Sequence, residues 1–137
     1  MLQFYFLSVM CNLLAGLTLS SDWFARKLPT LTMSLSAIGE RRGKLLIGLA
    51  TLCVGFTTLF VPTEPPLVLG DLVPSLAGMI MGVALLFEVF KQDALLPAES
   101  AEKNRPDRVP IAYRTTLGAL GIAAAILHFF LPERLLL

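Results

Sequence analysis

From Leu72 to Phe87 the chain carries no ionisable side chain, and Asp71 and Glu88 close this run at its two ends within the longer stretch Leu67 to Phe90, LVLGDLVPSLAGMIMGVALLFEVF. About 20 predominantly apolar residues cross a hydrocarbon core of about 30 Å. A charge at the centre of such a segment costs about 2.5 to 3.5 kcal/mol on insertion scales. The stretch therefore predicts a membrane-spanning helix with its charges at the ends, Asp71 capping the N-terminus. Gly78 and Gly82 stand one turn apart on it, with Ser75 just before them. Small residues at that spacing let another helix backbone approach closely, where lipid supplies no hydrophobic drive for association. This helix is expected to be the packing centre.

Three further apolar stretches accompany it, at about residues 2–20, 45–61 and 115–131, with the central one at 67–90. The chain has 137 residues, of which 55% are hydrophobic and 15% charged, whereas soluble domains are usually about 25% charged. The expected fold is an all-α integral membrane protein, a bundle of four transmembrane helices forming a single transmembrane domain over 1–137. The first stretch lacks the basic n-region of a signal peptide, so it reads as an uncleaved span. Gly118, Gly121 and the alanines at 123–125 give the last span several small-residue spacings for helix packing. Between the second and third spans the chain reads PTEPP, a short stiff turn between antiparallel neighbours.

The charges collect in two loops, about 21–44 and 91–114. The first holds Arg26, Lys27, Arg41, Arg42 and Lys44, and the second Lys91, Lys103, Arg105, Arg108 and Arg114. The excess of lysine and arginine places both loops in the cytoplasm and both termini outside, in a bacterial inner (cytoplasmic) membrane. Arg26, Lys27, Arg41, Arg42 and Lys44 are topogenic charges, with contact to lipid headgroups as the functional alternative. Pro29 opens a segment in which Leu31, Leu35 and Ile38 share one helical face, as a short interfacial helix would.

Few residues carry chemistry. Asp71 and His128 are expected at similar depth near the outer ends of their spans, and Asn12 lies near the middle of the first. Together they are the candidates for a ligand or ion pathway, since intramembrane ionisable groups are functional hypotheses by default. Against that reading, Asp71 caps a helix and Asn12 joins two helices. Glu88 and Lys91 are spaced for an i,i+3 ion pair. Cys11 and Cys53 sit within apolar runs and read as small fillers. The single histidine and the lack of a P-loop, zincin or nucleophile-elbow motif argue against an enzyme, a metal centre or any cofactor.

A net charge of +1 gives no sign of nucleic acid as a partner. The expected partners are the lipid bilayer and other membrane proteins or further copies of the chain. The expected role is a non-enzymatic accessory or structural subunit of a membrane complex, and the alternative is a small homo-oligomeric transporter or channel. LAG at 14–16 recurs at 76–78, and KLLIG from Lys44 is echoed by RTTLG from Arg114. Chance similarity between apolar helices accounts for such short echoes. Two parallel two-helix repeats are the less favoured alternative.

Overall fold

The computed structural model describes residues 2–28, 30, 38–60, 72–94 and 111–130, and among them every regular element is helical. The principal helices are α1 (Leu2–Leu19), α2 (Ser21–Lys27), α3 (Arg41–Phe60), α4 (Leu72–Ala94) and α5 (Ile111–Phe130). Helices α3, α4 and α5 are each long and apolar enough to cross a membrane. Uncharged α1 makes a fourth such element if it is taken with α2, to which it is bent by 67°.

The bend has a local cause. The Ser20 N–H completes α1 by donating to the Gly16 carbonyl at 3.0 Å, and the Ser20 carbonyl then accepts from both Trp23 and Phe24 N–H at 2.9 and 3.1 Å. One residue thus ends one helix and starts the next. The new helix has Asp22 in its first turn and Arg26 and Lys27 in its last, the arrangement that suits the helix dipole. It buries none of its side chains. The amphipathic helix expected from Pro29 falls mostly outside the described residues. Among the described residues of this loop, α2 is a short helix, and it precedes that segment. Helix α3 begins at Arg41, earlier than expected, so the basic cluster forms its first turn.

Helices α1 and α4 occupy the centre. Each touches α3, α5 and the other, while α3 and α5 do not meet among the described residues. The core between the central pair is Ala15, Leu19, Met81 and Leu85. Two glycine seams attach the outer helices. A Cβ at Gly82 would lie 2.8 Å from the Gly48 carbonyl oxygen, so α4 and α3 meet backbone to backbone there. At the second seam, a Cβ at Gly118 would lie 2.6 Å from the Gly16 carbonyl oxygen, which brings α5 against α1 in the same way.

These seams belong to a repeated pattern. On α3 the buried positions are Lys44, Gly48, Thr51, Gly55 and Thr58. On α5 they are Gly118, Gly121, Ala125 and His128, at the spacing that sets Gly48 opposite Gly118 in the alignment of the two halves. Helices α1 and α4 align likewise, with Asn12, Ala15, Gly16 and Leu19 matching Gly78, Met81, Gly82 and Leu85, all buried. The KLLIG and RTTLG echo is in the register of this pattern. The LAG echo is not, because it pairs Gly16 with Gly78, one helical turn from the match that burial gives.

Candidate functional site

Four charged side chains meet where α1 passes into α2, α4 nears its C-terminus, and α3 and α5 begin. Lys44 Nζ lies 3.0 Å from one oxygen of Glu88, and Arg114 Nε contacts the other. Arg114 Nη1 donates to Asp22 at 2.8 Å. The positions follow the repeat: each base stands four residues before a seam glycine (Gly48, Gly118), and each acid six residues after one (Gly16, Gly82). Glu88 and Arg114 are largely covered, whereas the Asp22 side chain is 48% exposed. Ion pairs screened from water hold more of their Coulomb energy, and a charge left alone there is costly.

This cluster corrects the pairing of Glu88 with Lys91. Glu88 lies on the side of α4 that faces α3 and α5, and cations from both helices reach it. Lys91 instead sits 5.9 Å from the centroid of the Phe87 ring, within the range of a cation–π contact. Lys44, expected among the topogenic charges, is buried in the cluster, while Arg26, Lys27, Arg41 and Arg42 are exposed.

From the cluster a cavity of about 530 Å³ runs between α4 and α5. Leu76, Met79, Val83 and Phe87 line one wall, Tyr113 and Leu117 the other, and Leu19 and Ala84 also border it. Glu88 and Arg114 are its charged residues. An apolar cleft of this size with a few polar groups at one end has the general form of a small-ligand pocket. The echo between KLLIG and RTTLG marks Lys44 and Arg114 in the sequence, but the groove arises from the packing of α4 and α5 and leaves no motif.

At the opposite end of the bundle, His128 is buried and its ring centroid lies 4.8 Å from that of Tyr5. The Tyr5 hydroxyl lies 2.7 and 3.0 Å from the His128 and Phe129 carbonyls and shares its one hydrogen between carbonyls of the kind that the end of a helix leaves without partners. Asp71, expected beside His128, lies outside the described residues. Asn12 is buried farther inside and donates through Nδ2 to the Pro74 carbonyl at 3.0 Å. Its Oδ1 lies 2.7 Å from where a Cβ of residue 78 would stand, so Gly78 provides the room that Asn12 occupies.

The remaining packing candidates sit at helix contacts. Ser75 Oγ lies 2.8 Å from Thr58 Oγ1, Gly82 and Gly118 form the two seams, and Gly121 faces the side chain of Met81. Of the cysteines, Cys11 is buried and Cys53 exposed. Thr51 donates to the Ile47 carbonyl of its own helix at 2.7 Å and approaches the Cys11 carbonyl at 3.3 Å. Asn12, Thr51, Thr58 and Ser75 thus use their buried polar side chains to join or brace helices.

No curated protein and no solved structure matches the chain. A protein-family model does match it over residues 1–128, which takes in both halves of the repeated pattern from α1 to His128. The chain belongs to that family, whose function is unknown.

Proposed function

We propose that the chain is a non-enzymatic accessory or structural subunit of a membrane protein complex, a four-span bundle in a bacterial cytoplasmic membrane with both termini outside. The division of its small residues supports this reading. Gly16, Gly48, Gly82 and Gly118 are used inside the bundle, but Ala119 and Ala123 remain exposed on the outer side of α5. Their small-xxx-small spacing is that of a helix that receives another helix. The orientation draws on Arg26, Lys27, Arg41, Arg42 and Lys91, which all stand at the charged end.

The test is extraction of the tagged chain from its native membrane into nanodiscs, followed by native mass spectrometry. A complex with other membrane proteins is expected, and the double substitution Ala119→Leu and Ala123→Leu should release them while the bundle stays folded. A lone monomer from mild extraction would count against the proposal.

A second reading, a small homo-oligomeric transporter, is favoured by one observation: His128 and Asn12 are polar side chains buried in apolar helices. With Asp71 they would line the path. It predicts a homo-oligomer without other partners, and solute or ion flux in proteoliposomes that falls on His128→Ala or Asp71→Asn.

A further inference from the structure

We infer that the groove between α4 and α5 is a binding site for an anionic phospholipid, with an acyl chain in the groove and the phosphate on Arg114. The inference shares the membrane setting of the proposed function but needs no protein partner.

The groove has two chemically distinct parts. Its walls are apolar, and its volume of about 530 Å³ falls in the range of small-ligand clefts. Its end holds Glu88 and Arg114, with the Tyr113 side chain beside them. A guanidinium presents a planar fork of donors that suits phosphate oxygens. Arg114 spends Nε on Glu88 and Nη1 on Asp22. These two acids differ in how firmly they are held. Glu88 is covered and shared with Lys44. Asp22 is 48% exposed and belongs to α2, a helix that buries no side chain. Asp22 is therefore the partner that an incoming phosphate can replace, keeping Arg114 charge-paired throughout.

The sign of the ligand follows from the surroundings. Within the cluster, two acids balance two bases. Arg26, Lys27, Arg41, Arg42 and Lys91 stand at the same end, against Glu40 as the further acid among the described side chains. Such a basic surface attracts anionic headgroups, and a chain anchored there has the apolar groove directly beside it.

The experiment uses the full chain in detergent, titrated with phosphatidylglycerol or phosphatidylcholine and read by native mass spectrometry as lipid retained per molecule. Wild type should retain phosphatidylglycerol at least about tenfold better than phosphatidylcholine. Arg114→Gln should abolish that preference, and Ala84→Phe, which fills the groove without altering a charge, should reduce retention of both lipids. Asp22→Asn is the decisive variant, because it removes the competitor of the phosphate and should raise phosphatidylglycerol affinity severalfold. It also keeps the proposal testable if Arg114→Gln does not fold. Equal retention of both lipids, or an Asp22→Asn variant no better than wild type, would overturn the inference. A chain that binds lipid but captures no protein would defeat the subunit reading alone.

Discussion

In the first half of the chain Lys44, Thr51 and Thr58 occupy the buried positions of α3 that Arg114, Gly121 and His128 occupy on α5. Along the central pair, Asn12 and Ala15 stand where the second half has Gly78 and Met81. The positions that set backbone approach are held in common: Gly48 with Gly118, and Gly16 with Gly82. The positions between them differ in size, polarity and hydrogen-bonding capacity. Where Asn12 is large, Gly78 is absent of side chain and the two fit together. Met81 fits in the same way against Gly121. The comparison teaches that one packing register supports two halves while their side chains become complementary to each other.

The largest effect is expected where the halves share a charge. Glu88 and Asp22 are equivalent in position, but Glu88 serves both Lys44 and Arg114, and Asp22 serves Arg114 alone. Glu88→Gln leaves one covered lysine and weakens the hold on one arginine, and removal of one member of a buried pair costs about 3 to 5 kcal/mol. Asp22→Asn breaks an ion pair with one half-exposed partner, for which at most about 1 kcal/mol is expected. Unfolding of both variants in mixed micelles, by heat or by added dodecyl sulfate, measures the difference. Equal losses would mean that the two acids are interchangeable and that the asymmetry of the cluster has no energetic weight.

The next effect separates seam glycines from the glycine that receives a side chain. Gly82→Ala drives a methyl against the Gly48 carbonyl and the Leu52 N–H, 2.8 and 2.9 Å away, and Gly118→Ala drives one against the Gly16 carbonyl. Backbone cannot move aside locally, so both should lose stability toward the upper end of about 1 to 3 kcal/mol for overpacking. At Gly121 the obstacle is the end of the Met81 side chain, which is flexible and can take another rotamer. Alanine also gains about 1 kcal/mol over glycine in helix propensity. Gly121→Ala should therefore be near neutral by the same unfolding measurement, and a loss as large as that of Gly82→Ala would show that Met81 is locked.

These contrasts also mark what could be read from the chain. The helices were legible because apolar runs bounded by charges have few other solutions. Asn12 as a join between helices was legible because a buried amide needs a partner, and Pro74 supplies its carbonyl. The bend at Ser20 was not, since nothing in LTLSSDW forces α1 to stop where α4 continues past its equivalent position. The partners of Glu88 were also illegible: local spacing offered Lys91, whereas the carboxylate is reached by cations distant in the chain. The repeat was visible only in KLLIG and RTTLG, because the other helix pair keeps burial while changing nearly every side chain, and the LAG match lies one turn out of register.

The smallest expected effect tests whether the polar side of the first half adds stability or merely avoids a penalty. Thr58 and Ser75 hydroxyls meet at 2.8 Å between α3 and α4, near the end where the second half has His128 instead. Thr58 Oγ1 is also within bonding distance of the Val54 and Gly55 carbonyls of its own helix, at 2.9 and 3.1 Å. A hydroxyl with that intrahelical alternative keeps an acceptor when its neighbour is removed, so Ser75→Ala should cost little. Interhelical hydrogen bonds between membrane helices average about 0.6 kcal/mol in double-mutant cycles, with a maximum near about 1.7. The cycle of Thr58→Val with Ser75→Ala should give a coupling close to that average. A coupling at the upper limit would mean that the intrahelical bonds do not compensate. The first half would then owe its hold on α4 to hydroxyls as much as to the Gly48 and Gly82 seam, and the shared glycine register would no longer suffice to explain why both outer helices stay in place.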